Sequence, residues 1–417
     1  MYYDLIKKFK NVMEIKGYVS KELEVTKYLL KYPKTPIYFR DLDGYEAIGN
    51  IWAERNNISM VLGNSDILQS LLYAINNPVD YEILDKNPFY EERDFSLKEL
   101  PIPKYFEKDG SNYITSGIVF SEMDGKRNAS FHRMMVIDEK RAVIRLVPRD
   151  LYKMYEESMK EGKDLKISVI IGAFPTFLLA AATSVDYNID ESMIASSLRL
   201  KTLGEKEKMV RLSNGINVPI ESEYVFEGKI TNEKYPLEGP FLDITRTYDT
   251  KENQPVVVFE KMYTNKKPIF HLLLSGGYEH YNLMGMPREP TIYQEIKKMN
   301  VDVLDVKLTY GGCSWLHGIV KIKKKNEEDG RWAIEGAFKG HRSLKHVIII
   351  DEDIDINNIE DVEWSIATRF QGDRDMVIKK ERGSSLDPSR YNNDITTKIG
   401  IDATIKGKEK ESFKKEF

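Results

Sequence analysis

The feature that most limits the possible folds is a series of short β-rich segments in the middle of the chain. Five of them lie between residues 111 and 285, separated by turns: SNYITSGIVF, RMMVIDEKRAVIRLV, YVFEGKI, PVVVFEKMY and IFHLLLSGG. Short strands at this spacing are typical of a barrel or a sandwich. A helical insertion near residues 177–208 interrupts them. The pattern therefore predicts a central β domain.

The flanking regions have different patterns. Residues 1–110 mix helical and strand patterns, and the Pro-rich stretch ELPIPKYF, 99–106, is typical of a linker. Residues 286–417 alternate helices and strands, which indicates an α/β layer. A chain of 417 residues is too long for one core. We predict an α+β multidomain protein with an N-terminal α/β domain (1–110), a central β domain (111–285) and a C-terminal α/β domain (286–417). The C-terminal domain ends in a charged tail that we expect to take part in oligomerisation.

Composition excludes several classes of protein. The net charge of −4 lacks the basic excess of a nucleic-acid-binding protein. The single cysteine, Cys313, rules out an internal disulfide and any site built on several cysteines. The most apolar segment, 167–185, is interrupted by Gly172 and Pro175, so we interpret it as a buried strand and helix and expect no membrane span. The N-terminus has no apolar signal sequence, and we expect a cytoplasmic protein.

Two acids in PLEGPFLDITRTY, residues 236–248, are the first candidates for a site. Glu238 and Asp243 would diverge on a helix and face opposite sides of a strand. Gly239 and Pro240 instead indicate a loop. A loop can turn both carboxylates toward one point, as acid/base catalysis requires, and the alternative is a pair of solvated loop acids.

A second cluster of polar residues occurs in KRNASFHRMMV, residues 126–136. Asn128, His132 and Arg133 lie close together where a strand should begin. An arginine that converged on two acids would hold one of them ionised and would bind an anion. Such a site suits a substrate that bears a carboxylate.

These motifs resemble those of the UbiD-type decarboxylases, which use prenylated FMN. NASFHR (128–133) is similar to the family's Asn-x-x-x-x-Arg segment, and EGPFLD (238–243) to its Glu-Gly-Pro-aromatic-x-acid loop. Further similar segments follow in the same order along the chain: GYEAIGN, GAFPTFLLAAAT, RLSNGINVP, GGCSWLHGIVKIKKK, ATRFQGDRDMVI, SSLDPS and TKIGIDAT. The resemblance implies a split β-barrel of the flavin-reductase type for the central domain.

The resemblance also implies roles for individual residues. Arg133, Glu238 and Asp243 would form the catalytic network, with Asp243 as the proton donor. Contacts to the modified flavin would come from a wider set, namely Asn128, Phe131, His132, Arg133, Arg145, Leu146 and Val147. The metal, Mn²⁺ with K⁺ nearby in many members, would be bound by Asn128, Glu191 and Asp150. Some relatives have histidine at the third position, and a helix N-cap is an equal alternative for Asp150.

The substrate implied by the resemblance is an α,β-unsaturated acid. The chain is most similar to the archaeal branch that converts trans-anhydromevalonate 5-phosphate to isopentenyl phosphate and CO₂. The alternative within the family is a 4-hydroxy-3-polyprenylbenzoate or related aromatic acid. A flavin-binding oxidoreductase or a flavin carrier without catalytic activity is the alternative from another class. The family also implies a flavin prenyltransferase as the source of the cofactor, and a homodimer or larger homo-oligomer.

Overall fold

The structure, a computed structural model, divides into two units, Met1–Leu283 and Met284–Phe417. It describes residues 1–85, 91–392, 394–407, 413 and 415, and it describes residues 235 and 236 by their backbone only. The division lies near the predicted boundary at residues 285 and 286. One apolar core in the first unit contains residues from both sides of position 110, so a separate domain 1–110 stays a prediction.

The first unit contains eight helices and sixteen strands in the described part of the chain. The helices are α1 (Tyr2–Lys8), α2 (Glu24–Lys31), α3 (Arg55–Leu62), α4 (Ile67–Asn76), α5 (Asp150–Lys160), α6 (Pro175–Ala180), α7 (Glu191–Leu203) and α8 (Tyr278–Gly285). The strands are β1 (Met13–Val19), β2 (Ile37–Leu42), β3 (Tyr45–Gly49), β4 (Glu82–Leu84), β5 (Glu91–Arg93), β6 (Tyr113–Ile114), β7 (Ile118–Met123), β8 (Lys126–Phe131), β9 (Met134–Val136), β10 (Arg141–Ile144), β11 (Leu165–Ile171), β12 (Lys208–Arg211), β13 (Asn217–Pro219), β14 (Tyr224–Glu238), β15 (Glu252–Thr264) and β16 (Phe270–Leu272).

Four of the five predicted β-rich segments lie in a sheet of nine strands, and the fifth, IFHLLLSGG, forms β16 in a different sheet. The order of the nine-stranded sheet is β6-β9-β10-β15-β14-β11-β7-β8, and β5 pairs with β15 beside this path. A smaller sheet, β1-β2-β3-β16, contains the hairpin of β2 and β3, in which Asp43 and Gly44 have positive φ angles of 49° and 89°. Because β16 joins this N-terminal sheet, the chain returns to its first segment after it leaves the large sheet. A third sheet has the order β13-β12-β4.

The large sheet brings its two ends close together. β6 leads into β7 through residues 115–117, and β8 leads into β9 through residues 132 and 133. Such short links join strands at opposite ends of the sheet order, so the sheet must curl until its ends are neighbours. The backbone N–H of His132 donates to the carbonyl of Gly117 at 3.2 Å across this junction. In the described residues no ladder joins β6 to β8, so a closed barrel is not present and the split barrel stays a prediction.

The second unit is the predicted α/β layer. Its helices are α9 (Glu289–Lys298), α10 (Asp329–Gly340) and α11 (Ile359–Arg369), with short 3₁₀ helices at Met286–Arg288 and Tyr310–Gly312. Its strands are β17 (Val303–Leu308), β18 (His317–Ile322), β19 (His346–Ile350), β20 (Met376–Arg382) and β21 (Ile395–Asp402), in the order β17-β18-β19-β21-β20. The three inner strands are parallel, which explains their long apolar runs.

Two further predictions concern the chain end and the membrane. Most of the charged tail, predicted to take part in oligomerisation, lies outside the described residues. Among the residues that the structure describes, no single helix has the length and hydropathy of a membrane span. The helices Arg55–Leu62 and Ile67–Asn76 meet those two criteria only when they are taken together, and they are bent by 63°.

Candidate active site

Arg133 lies on the two-residue link between β8 and β9, at the junction of the sheet ends. Two backbone hydrogen bonds hold this link. His132 N donates to Gly117 O at 3.2 Å, and Arg145 N donates to Arg133 O at 3.1 Å. The position of the arginine is therefore set by the sheet itself, and its side chain is mostly buried.

The two predicted acids lie at the connection between β14 and β15. Glu238 is the last residue of β14, and Gly239 has a φ angle of 99° that favours glycine. The Gly239–Pro240 peptide bond is cis. The ring of Phe241 is buried against Tyr113, with 4.6 Å between centroids. The connection is thus anchored at its start, as the loop interpretation requires.

The segment before β6 holds this connection in place through hydrogen bonds. Gly110 N donates to Pro240 O at 2.8 Å. The Asp109 carboxylate accepts from the backbone N–H of Leu242 at 3.3 Å and from that of Phe106 at 3.0 Å. Burial raises the pKa of Asp109 from its ordinary value of 3.8 to about 6. Asp109 carries no indication of this role in the sequence, because only the fold brings it to the acid loop.

Arg133, Glu238 and Asp243 meet as predicted. Glu238 accepts two hydrogen bonds from Arg133, from Nε at 3.1 Å and from Nη2 at 3.0 Å. Asp243 Oδ2 accepts from Nη1 at 2.8 Å. The guanidinium carbon lies 4.6 Å from the centroid of the Phe241 ring. The solvated-acid alternative is wrong for Glu238, which is fully buried, and Asp243 is mostly buried.

Two acids and a second arginine extend this network. Asp249 Oδ2 accepts from Arg133 Nη2 at 3.0 Å and lies 3.4 Å from Arg145 Nη2. Glu252 Oε2 lies 2.6 Å from Arg145 Nη1. Arg145 was predicted as a cofactor contact, whereas neither Asp249 nor Glu252 was predicted. The one indication of their role in the sequence was that both acids follow soon after Asp243 along the chain.

Tyr113 and His280 border the acids. Tyr113 Oη donates to Glu238 Oε1 at 3.2 Å. Burial, followed by the Glu238 carboxylate, raises the pKa of Tyr113 well above its ordinary range, so the hydroxyl stays protonated. Burial lowers the pKa of His280, and the charge of Asp243 opposes this shift. Gly276 N donates to His280 Nδ1 at 3.2 Å, which leaves the proton of the neutral ring on Nε2.

Two of the three predicted metal ligands are in direct contact. Asn128 Nδ2 donates to Glu191 Oε1 at 3.3 Å, and Ala129 N donates to Glu191 Oε2 at 2.9 Å. Burial raises the pKa of Glu191 to about 8, and the charges of Asp190 and Asp150 add to this effect. A buried carboxylate with acidic neighbours is the environment that a divalent cation stabilises.

Asp150 is not the N-cap of α5. Arg149 occupies the cap position, and Asp150 lies in the first turn, 3.4 Å from Lys153 Nζ. The N-cap alternative is therefore wrong, while its role as a ligand stays a prediction. In the described residues, His, Cys, Asp and Glu form no group of three arranged to hold a metal. The oxygen donors Asn128, Glu191 and Asp150 nevertheless fit a hard cation in their chemistry.

The other predicted cofactor contacts surround Arg133. His132 Nδ1 donates to Arg145 O at 2.9 Å, and burial lowers the pKa of His132 to about 4, so the ring is neutral. Leu146 is buried and its N–H donates to Gln254 Oε1 at 2.9 Å. Val147 is an exposed apolar side chain, and Phe131 is partly buried. Exposed apolar surface beside a cationic and carboxylate network fits a flat aromatic cofactor with polar edges.

The chain is similar to known protein families over most of its length. A family model described as the 3-octaprenyl-4-hydroxybenzoate carboxy-lyase Rift-related domain matches residues 81–278, and its C-terminal domain model matches residues 281–403. The chain is 42% identical to the anhydromevalonate phosphate decarboxylase of Methanocaldococcus jannaschii over 94% of both chains.

The chain belongs to the UbiD family. It is also 39% identical to the anhydromevalonate phosphate decarboxylase of Methanosarcina mazei, over 99% of this chain and 98% of that protein. Among UbiD-class structures, HmfF from Pelotomaculum thermopropionicum in complex with FMN has a TM-score of 0.93, 29% sequence identity, and coverage of 99% of this chain and 96% of that chain. An evolved dimeric form of the same enzyme in complex with prenylated FMN has a TM-score of 0.88 at 29% identity, over 97% of this chain and 94% of that chain.

Proposed function

We propose that the protein is a prenylated-FMN-dependent decarboxylase that converts trans-anhydromevalonate 5-phosphate to isopentenyl phosphate and CO₂. The observation that carries the proposal is the bonding of one buried arginine, Arg133, to Glu238 and Asp243. The names of the relatives at 36–45% identity support this substrate.

The cofactor and the protein have separate tasks in this reaction. Prenylated FMN, when bound, accepts the electrons that the departing CO₂ leaves behind. Arg133 binds the substrate carboxylate and fixes its orientation, because a guanidinium pairs with a carboxylate through two parallel hydrogen bonds. Glu238 holds the guanidinium in place. Asp243 Oδ2, once released from Arg133 Nη1, carries the proton that replaces CO₂ on carbon.

The remaining parts of the proposal concern the surroundings of the site. Asn128, Glu191 and Asp150 would hold Mn²⁺, with K⁺ nearby, to bind the cofactor phosphate. The curled nine-stranded sheet would form the split barrel that contains the flavin. We further propose a cytoplasmic homodimer or larger homo-oligomer that obtains its cofactor from a flavin prenyltransferase. The dimeric form named for the similar structure supports the assembly.

Two alternatives make different predictions. The family model is described by a polyprenyl-hydroxybenzoate activity, which favours an aromatic acid as the second candidate substrate. A flavin carrier without catalytic activity would have no use for acids held on a buried arginine. The Arg133 network therefore favours an enzyme.

The test is product formation by protein loaded with prenylated FMN and Mn²⁺ under anaerobic conditions. We expect isopentenyl phosphate and CO₂ from trans-anhydromevalonate 5-phosphate, and loss of turnover in Asp243→Asn. Asp164→Asn is the matched control, because Asp164 is an exposed acid paired with Lys229. Turnover of 4-hydroxy-3-polyprenylbenzoate instead would establish the aromatic alternative. Full activity of Asp243→Asn would contradict the assignment of the proton donor.

A further inference from the structure

The N–H groups of Arg133 are almost fully used within the protein. A guanidinium has five N–H donors, one on Nε and two on each Nη. Glu238 takes one from Nε and one from Nη2, Asp249 takes the second from Nη2, and Asp243 takes one from Nη1. One Nη1 hydrogen remains without a partner among the described residues. A substrate carboxylate needs two, so at least one of the three acids must give way.

The edges of the guanidinium show where the substrate would bind. Glu238 covers the Nε–Nη2 edge in a bidentate manner, with bonds of 3.1 and 3.0 Å. The Nη1–Nη2 edge is the second edge of a guanidinium that can bind a carboxylate through two hydrogen bonds. Asp243 and Asp249 share it, with bonds of 2.8 and 3.0 Å. A substrate that binds there replaces a bond to each of them.

Asp249 is the acid that can most easily leave Arg133 when a substrate binds, because it has another cationic partner nearby. Its side chain is 23% exposed, close to the 18% of Asp243 and unlike Glu238, which is 0% exposed, so its second cationic partner is what distinguishes it from Asp243. Its Oδ2 already lies 3.4 Å from Arg145 Nη2, so it keeps a cationic partner after it leaves Arg133. Its Oδ1 accepts from the backbone N–H of Thr250 at 2.8 Å, which keeps the side chain near its place.

We infer that Asp249 occupies the carboxylate-binding edge of Arg133 in the empty site and moves to Arg145 when the substrate arrives. It is a specificity-determining residue, because an incoming acid must be good enough to replace it. A ligand without a carboxylate cannot replace Asp249, so Arg133 stays bonded to Asp249 and does not bind the ligand. The inference rests on the proposed function only in taking the substrate to be an organic acid, and it does not depend on which acid.

The experiment compares the binding of a simple carboxylate probe. Protein reconstituted with FMN and Mn²⁺ is titrated with 3-methylcrotonate, and flavin fluorescence reports binding without turnover. We expect Asp249→Asn to bind the probe about tenfold more tightly than the wild type, since one like charge near the bound carboxylate is removed. Asp249→Ser removes the same charge with a smaller side chain and should show the same direction if Asp249→Asn does not fold.

The comparison variants separate this effect from a general loss of negative charge. Glu252→Gln removes a carboxylate that pairs with Arg145, so its gain in probe affinity should be about twofold at most. Asp164→Asn gives the baseline. Weaker or unchanged binding in Asp249→Asn, or an equal gain in Glu252→Gln, would overturn the inference. If the binding ratios hold but the phosphorylated acid is not decarboxylated, the proposed substrate fails and the role of Asp249 stands.

Discussion

At the scale of single residues, the best-buried pair of the network joins Arg133 to Glu238. Glu238 is fully buried, and its charge is balanced by Arg133 through two hydrogen bonds. A buried charge that loses its partner is far more costly than a buried pair that is removed as a whole. The arginine therefore has a structural task in addition to its proposed binding task.

This difference gives a prediction for a double-mutant cycle. Arg133→Met removes two charge-assisted hydrogen bonds from the buried Glu238 carboxylate. Only Tyr113 Oη at 3.2 Å and the more distant Arg145 Nη1 at 3.9 Å remain beside it, and we expect the free energy of unfolding to fall by about 3 kcal/mol. Adding Glu238→Gln removes the poorly compensated charge and should recover more than half of that loss. Urea unfolding of both variants measures it. Equal instability of the single and the double variant would contradict the account of the pair.

A second prediction concerns the pH dependence that Asp109 confers on stability. Its pKa is about 6 in the folded protein and 3.8 as its ordinary value. The folded state then binds the proton more tightly, so this group favours folding at low pH, and its contribution falls as pH rises from about 4 to 6. We expect the stability of the wild type relative to Asp109→Asn to be higher at pH 4.5 than at pH 7. A difference between the two proteins that stays constant with pH would show that Asp109 does not titrate in this range.

Sequence alone identified part of the network, for a physical reason. Glu238 and Asp243 were found because a Gly-Pro turn separates them, and Arg133 because it lies in a polar cluster where a strand was expected to begin. Asp249 has only its closeness to Asp243 along the chain as an indication, and Asp109 has none. Asp109 reaches the site only because the fold places the acid connection beside the segment that precedes β6. Which charged side chains meet is determined by the fold, and a local sequence motif does not contain this information.

At the scale of elements, the acid connection between β14 and β15 rests on the segment that precedes β6. Gly110 makes this contact possible, because a Cβ at this position would lie 2.5 Å from Gly239 O. The same glycine donates its N–H to Pro240 O at 2.8 Å. The placement of Asp243 and Asp249 thus depends on the absence of one side chain more than twenty residues before Arg133.

Gly110→Ala should therefore reduce activity more than stability. We expect the displaced connection to lower kcat by about 10- to 100-fold, since small errors in the position of reacting groups have large effects on rate. Gly17→Ala is the matched control, because a Cβ there has no heavy atom within 4 Å and should leave both properties close to those of the wild type. Decarboxylation kinetics and thermal unfolding measure the two effects. Wild-type kcat in Gly110→Ala would show that the contact does not position the acids.

The elements themselves were more predictable than their order. The Asp66 cap of α4, which accepts from Gln69 N at 3.0 Å, and the hairpin of β2 and β3 follow from local sequence. Central strands were also recognised by their apolar residues. Strands that are distant in sequence pair in the sheet, as β10 does with β15 and β7 with β11. Local pattern contains no information on such pairing, so the curled sheet could not be derived from it.

At the scale of the whole molecule, the proposed chemistry belongs to one unit. Every predicted catalytic, cofactor and metal residue lies between residues 128 and 243, within Met1–Leu283. The second unit has its own apolar core, in which Ile350 packs with Ile348 and Val362. The two units should respond differently to a change in either core or to ligands.

Ile350→Ala tests this separation. The residue is fully buried, so we expect its truncation to lower the stability of the second unit by about 2–5 kcal/mol. Added FMN and Mn²⁺ should instead raise the unfolding temperature of the first unit. Calorimetry, with hydrogen exchange to assign each transition, gives both values. A ligand-induced shift confined to the second unit would contradict the location of the site.

The short link between β8 and β9 has a consequence for protein engineering. It places the arginine and the proposed cofactor-binding residues on one continuous stretch of backbone, while the acids lie on a hairpin connection more than a hundred residues later. With Asp243 retained as the proposed proton donor, the rest of residues 239–251 could therefore be exchanged as a cassette to alter which acid is accepted. Such an exchange leaves the proposed metal ligands Asn128, Asp150 and Glu191 unchanged.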